Sequence, residues 1–352
     1  MNLQKEYAGM LYFADMAKRV CQVNEYDYLN RDDDHEEFLK TCVPKYSNFF
    51  KSIGERRGQD EIKEYLEVAW IVADWFKYKK IYRFDPSFVN YLEETDSGVI
   101  QAALLKRLPY KSFYISIPNR LIKDTFDDLT RNEMLKGMFV RVRIIDDGIR
   151  FGMAIIKTTD KTNTDYMKDN FTDLVTFIQD GTKLEDCWNY EMLSLEEQEN
   201  LKKDGIDEAI KYWTPIYRIA LNACQYLCAS NAEIQDVKIK KKNRPTIMTK
   251  SGPKSVNIQV SDVGFKIGKQ FEEMYGTKDD SETDISVDTI SGVHRRGYKM
   301  HPHVRRAHWH HYWTGRGRTD LEVRWIEPVF VMSDLGKEPE IAVIHDVKGK
   351  SV

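Results

Sequence analysis

The chain has 352 residues, of which 41% are apolar, 31% charged and 12% aromatic, with a formal net charge of -3. That balance suits packed cores rather than a disordered chain, and the length suggests two or three domains. It excludes a polyanion binder working through its overall charge, so any attraction to nucleic acid or to an acidic partner has to come from a local patch.

The opening MNLQKEYAGMLYFADMAKRV lacks the apolar core of a signal peptide, and the chain contains no apolar run of 18 residues. Export and membrane crossing by those routes are therefore not expected. The first ~95 residues read as helical. Tyr7, Leu11, Ala14 and Lys18 begin one helical period. Ile62, Leu66, Ala69, Val72, Ala73 and Phe76 share one face of a second, between Glu61 and Tyr82. Arg31 to Asp34 reads as a solvated capping run before a helix starting near His35. Trp70 and Trp75 fall in the helical run and are assigned to packing.

The period then changes. Ser112 to Ile117 alternates as a strand and meets Pro118. Met138–Ile145 and Arg150–Lys157 are two β-rich runs joined by Asp146-Asp147-Gly148, the pattern of a hairpin. Phe171 to Ile178 is a further strand. Residues 185 to 204 and 206 to 229 read as two helices, broken at Gly205 and with Pro215 bending the second or marking its start. Trp188 and Trp213 are assigned to packing. The five cysteines, Cys21, Cys42, Cys187, Cys224 and Cys228, contain no CxxC pair. Cys224 and Cys228 lie one helical turn apart as small core residues, and a reduced, cytoplasmic compartment fits.

From Lys238 a basic run ending at Arg244 precedes Pro245 and a Ser251-Gly252-Pro253 loop. Val256 to Val260 and Val263 to Ile267 read as short strands, Thr277 to Asp288 as an acidic loop, and Leu321 to Trp325 and Pro328 to Met332 as strands. The fold class is thus α+β. A helical N-terminal region (1–95) is followed by a central region of antiparallel or mixed sheet with packed helices (96–237) and a β-rich, basic C-terminal module (238–352).

Chemistry concentrates at 294–318, HRRGYKMHPHVRRAHWHHYWTGRGR, which holds six of the eight histidines and no acidic residue. Three readings of it compete. Arginine forks and aromatic planes interleave in this way on RNA or other polyanion surfaces. His301-x-His303 and His308-x-His310 have a spacing that puts each pair on one side of a strand, as a zinc site needs, but no cysteine or carboxylate cluster joins them. The third is packing, with Trp309, His311 and Trp313 on one strand face and His308, His310 and Tyr312 on the other. Histidines beside arginines can also cleave RNA without a metal. No second motif supports catalysis: there is no phosphate-cradling loop, GxSxG, HExxH or Cys–His signature. No cofactor or metal is assigned.

Pro302, His303, Arg305, Arg306, His308, Trp309, His310, Tyr312, Trp313 and Gly315, followed by Arg324, Trp325, Phe330 and Val331, resemble the C-terminal signature of a type V-A anti-CRISPR family carried by phages and other mobile elements. Arg244-Pro245 and Phe265-x-Ile267-Gly268 fit the same pattern, and Leu108-Pro109 fits it more faintly. The tail 332–352 and the acidic insertion 277–288 depart from it. The resemblance implies a non-enzymatic regulator in the bacterial cytoplasm. Such a regulator recognises the nascent N-terminal peptide of a type V-A CRISPR nuclease, and loss of the nuclease mRNA follows, with ribosomal or messenger RNA as a further contact. The binding residues it implies are His303, Arg305, Arg306, His308, Trp309, His310, Tyr312, Trp313, Arg324 and Trp325. The alternative is an RNA-binding protein or a metal-independent ribonuclease using the same His/Arg cluster.

Overall fold

The computed structural model describes residues 3–21, 35–52, 54, 58–123, 132–158, 169–183, 203–249, 251–275 and 303–331. In chain order these form α1 (Leu3–Glu6), α2 (Ala8–Cys21), α3 (His35–Ser52), α4 (Gln59–Tyr78), β1 (Lys80–Phe84), α5 (Pro86–Glu94), β2 (Val99–Ile100), α6 (Ala102–Leu105), β3 (Ser112–Lys123), β4 (Asn132–Ile145), β5 (Gly148–Thr158), β6 (Asp169–Ile178) and β7 (Thr182–Lys183). There follow α7 (Lys203–Cys228), β8 (Ile234–Val237), β9 (Thr246–Thr249), β10 (Gly252–Ser255), β11 (Gln259–Val263), α8 (Phe265–Tyr275), β12 (His303–Arg305), β13 (His308–Thr314), β14 (Asp320–Ile326) and β15 (Val329–Val331). The protein is a mixed α+β fold, as its patterning indicated.

A seven-stranded sheet in the order β6-β5-β4-β3-β1-β11-β8 organises the molecule. Its strands draw on residues from 80 to 263, so it runs through all three of the regions read from composition. β1 is parallel to both neighbours, β3 and β11, and the other pairings are antiparallel. Strand alternation assigns each side chain to one of two cores. Ile81, Tyr114, Phe139, Ala154, Ile156 and Val260 meet α2, α3 and α4 on one face. Tyr82, Phe113, Ile115, Val140, Phe151 and Val263 meet α5, α6 and α7 on the other.

β1 is the main departure from the helical reading of the N-terminal region. The helix ends at Tyr78, Lys79 takes φ 52°, and the chain enters Lys80–Phe84. Arg83 is forked onto Asp262 of β11 at 2.8 and 2.9 Å. Lys80 donates to Ser261 at 2.5 Å and to Asp236 at 3.2 Å, which locks the β1–β11–β8 register across some 180 residues of sequence. Asp85 then caps α5 by accepting from the Phe88 N–H at 3.1 Å, with Pro86 in the first turn.

Other differences have local causes. β3 continues past Pro118 because the pairing with β4 shifts register between Ser116 and Arg120, and such an irregularity tolerates a residue that cannot donate. Val263 closes β11, but residues 265–267 begin α8 instead of extending a strand, because Glu233 caps their N–H groups: its carboxylate accepts from Lys266 at 2.9 Å and from Ile267 at 3.3 Å. Gly205 and Pro215 both lie inside the 26-residue α7. The expected helix of 185–204 falls mostly outside the described residues, as do Arg31–Asp34, Trp188 and the acidic 277–288 segment.

The faces predicted from helical periodicity are buried as expected, from Tyr7, Leu11 and Ala14 in α1–α2 to Ile62, Leu66, Ala69, Val72, Ala73 and Phe76 in α4. The Met138–Lys157 hairpin forms with only Asp146 and Asp147 between paired residues. Gly264 joins β11 to α8 at φ 71°, and a Cβ there would run into the Phe88 ring. Gly264→Ala should therefore lower unfolding stability by more than about 1 kcal/mol, read by denaturant melts, since strained backbone and a ring clash add.

Candidate functional site: the C-terminal aromatic hairpin

The basic, aromatic segment folds into two small antiparallel sheets, β12–β15 and β13–β14. In the second, Trp309 lies directly opposite Trp325, His310 opposite Arg324, His311 opposite Val323, Tyr312 opposite Glu322 and Trp313 opposite Leu321. Alternation therefore gives the hairpin an inner face of Trp309, His311, Trp313, Leu321, Val323 and Trp325, and an outer face of His308, His310, Tyr312, Glu322 and Arg324.

The inner face enters the core above α5 and α7. Trp325 is 1% exposed and Trp309 is 9% exposed. The Trp325 ring meets Phe88 edge-on at 5.0 Å between centroids and Tyr226 at 6.0 Å. Both buried indoles have their N–H satisfied: Trp309 Nε1 donates to Asn222 Oδ1 at 2.9 Å and Trp325 Nε1 to Thr95 Oγ1 at 3.3 Å. Asn222 in turn donates to the carbonyls of Leu92 at 2.6 Å and Thr95 at 2.8 Å, which ties the end of α5 to α7 and to the hairpin. Asn231 brackets the Trp325 backbone, accepting from its N–H at 3.1 Å and donating to its carbonyl at 2.8 Å. Ser230 N–H bonds the Val323 carbonyl at 3.0 Å, and Arg107 donates to the Leu321 carbonyl.

Burial falls along the inner face. Trp309 is enclosed and His311 is half-buried, while Trp313, near the tip, is 57% exposed. The tip turns through Gly315 at φ 78°, Gly317 at φ 84° and Arg318 at φ 54°, and it presents the exposed Arg316 and Arg318. On the outer face Tyr312 is 39% exposed, its ring 4.2 Å from that of His310. The Arg324 guanidinium sits 5.5 Å from the Tyr312 ring and pairs with Glu322 at 2.8 Å. An exposed pair of this kind orders side chains more than it stabilises the fold. A hydrogen bond from Ser230 and the Arg324 guanidinium hold the Glu322 carboxyl below its usual range.

Of the ten candidate residues, Arg306, His308, His310, Tyr312 and Trp313 are exposed and Arg324 is half-exposed, whereas Trp309 and Trp325 lie in the core. β12 carries His303 and Arg305, whose side chains lie outside the described residues, as do His294 and His301. Among the described residues no three His, Cys, Asp or Glu side chains come together to hold a metal ion. The anchors Asn222, Thr95 and Asn231 were missed from the sequence. The available signal was Asn222 and Gln225 interrupting the apolar run from Ile219 to Cys228, a polar pair that has to find partners once buried.

Three outcomes follow. Trp325→Ala should cost about 3–5 kcal/mol in a denaturant melt. Asn222→Leu, which leaves two carbonyls and an indole N–H without partners, should cost at least about 2 kcal/mol. His311, half-buried, is held below its ordinary value first by burial and then by His310. Its neutral form is the one the fold favours, so its contribution is present above pH 6.5 and is lost as pH falls through the lower folded value. His311→Gln should flatten the decline in melting temperature below pH 6.5 relative to the parent protein.

A family model described as AcrVA2-like, the anti-CRISPR type V subtype A2 family, matches residues 82–333. Among solved structures, one described as the crystal structure of AcrVA2 matches at 18% identity and a TM-score of 0.43, covering 94% of this chain and 96% of that one. No curated protein matches the sequence. The family model runs from β1, through the whole sheet, to the end of β15, which is more than two thirds of the chain. On that span the chain belongs to the AcrVA2-like family of type V subtype A2 anti-CRISPR proteins.

Proposed function

We propose that this protein silences a type V-A CRISPR nuclease by binding its nascent N-terminal peptide, after which the nuclease mRNA is lost. The recognition surface in this reading is the outer face and tip of the β13–β14 hairpin: Arg306, His308, His310, Tyr312, Trp313 and Arg324, with His303 and Arg305 alongside in sequence. The supporting observation is the division of the signature. Its two deeply buried tryptophans secure the hairpin, while Trp313 near the tip and Tyr312, beside Arg324, remain open. Trp, Tyr and Arg are enriched among the few residues that carry most of the energy of a peptide or protein interface. The exposed Arg316 and Arg318 at the tip give RNA phosphates a place to contact at the same end.

The test is a binding titration of an N-terminal peptide of the type V-A nuclease against the protein, paired with nuclease mRNA levels in cells. Tyr312→Ala combined with Trp313→Ala should keep the parent melting temperature within a few degrees, because both rings are exposed. It should weaken peptide binding at least about tenfold and restore the mRNA. Unchanged binding and unchanged mRNA loss would count against this surface. Incubating the purified protein with RNA decides the alternative: RNA that stays intact with chelator present removes the metal-independent ribonuclease reading.

A further inference from the structure

On the face of the sheet opposite the hairpin, α4 and the β4–β5 hairpin enclose a solvent-open cleft. Its walls include Glu67, Trp70, Arg141, Arg143, Arg150 and Gly152. The strand register builds it: Arg143 lies directly opposite Arg150 and Arg141 directly opposite Gly152, so three guanidinium groups share one wall and the glycine leaves room beside them. Arginines so close repel one another unless counter-charge is present. Two carboxylates supply some of it. Asp74 accepts from Arg141 Nε at 2.6 Å and pairs with Lys77 at 3.0 Å, and Glu67 accepts from Arg150 at 3.3 Å. Among the described residues Arg143 has no carboxylate partner. Three arginines thus line the cleft beside a single lining carboxylate, Glu67, with Asp74 engaged on Arg141 behind it.

The cleft is also stiff. Arg141 is buried, its guanidinium held by Asp74 and stacked 3.8 Å over the Trp70 ring, which fixes the plane of its fork. Burial lowers the Arg150 pKa, and the positive charges of Arg141 and Arg143 lower it further against the opposing pull of Glu67. A fixed fork, a second arginine on a carboxylate and a third with no carboxylate partner among the described residues make a pre-organised set of donors for a tetrahedral dianion. The small size of the cleft and the burial of the Trp70 ring leave no aromatic face for a base to stack on.

We propose that this cleft is an anion site for a single phosphate group, held by Arg143 and Arg150 with Arg141 behind them. The group is either free phosphate or the terminal phosphate of an ester. The site lies across the sheet from the hairpin, and three of its residues (Glu67, Trp70 and Ile71) precede the part of the chain matched by the family model. It therefore stands or falls independently of the peptide reading.

Isothermal titration calorimetry on the full chain at fixed ionic strength tests it, with sodium phosphate and adenosine 5′-monophosphate as ligands and sodium acetate as the control anion. Saturable one-site binding of phosphate is expected, with acetate much weaker. Arg143→Gln should weaken phosphate binding at least about tenfold, since it removes charge-assisted hydrogen bonds. Glu67→Gln should tighten it by removing the negative charge beside Arg150, which is the opposite of what a purely structural ion pair predicts. Tighter binding of the nucleotide than of phosphate would identify an ester as the source, and the reverse order the free ion. No saturable binding of either ligand, equal binding to Arg143→Gln, or weaker binding to Glu67→Gln would overturn the proposal. The Glu67→Gln result decides the matter if Arg143→Gln does not fold.

Discussion

The carboxamide of Asn222 sits where three parts of the molecule meet. It is fully buried in α7, and its amide hydrogens bond the carbonyls of Leu92 and Thr95 at the end of α5 while its oxygen accepts from the Trp309 indole. Backbone carbonyls at a helix end have no partner within the helix, and a buried indole N–H has none in a hydrocarbon core. Asn222 answers both needs with one side chain. The hairpin is held at its base by this contact and by the bracket of Asn231 on Trp325, so the direction of its exposed face follows from a fully buried carboxamide and from the clamp on the Trp325 backbone.

That arrangement explains how so many cations and rings coexist in a short segment. A strand pair sends alternate residues to opposite faces, which lets one stretch of sequence carry two chemistries. The odd-numbered positions of β13 begin inside the core and leave it toward the tip, while the even-numbered positions carry imidazoles and Tyr312 into solvent. Packed and exposed side chains are therefore neighbours on one strand. Trp309 and Trp325 are packed in the core, while Tyr312 and Trp313 stay exposed and Arg324, paired with Glu322, stays half-exposed.

The central sheet applies the same logic on a larger scale. β1 is short, but it is parallel to both neighbours and connects the antiparallel β3–β6 meander to β11 and β8 from the later chain. The Arg83–Asp262 fork and the Lys80–Ser261–Asp236 cluster place charge pairing where two distant segments have to find one register. Once the sheet is formed, its two faces are separate environments. One takes the amphipathic α2–α4 layer and the arginine cleft, and the other takes α5, α7 and the hairpin.

Much of this was legible in the sequence because it depends on local periodicity. The α4 face, the Asp146-Asp147 hairpin, the start of α3 at His35 and the strand character of 321–325 follow from spacing that neighbouring residues impose on one another. The alternation in 308–313 was readable on the same grounds. Lys80–Phe84 was not, because five residues directly after a long helix carry too little pattern, and their strand state comes from partners more than 30 and nearly 180 residues away. Nor could the sequence say that the signature's tryptophans would divide between core and surface. Trp309 and Trp313 are both ring residues on the same strand face, and only the presence of α5 and α7 beneath one end of the hairpin buries the first and leaves the second in solvent. Composition and spacing determined that the segment is basic, aromatic and β-structured. Tertiary packing decided which of its groups are spent in the core and which remain open, because burial depends on what lies across from a side chain and not on its neighbours along the chain.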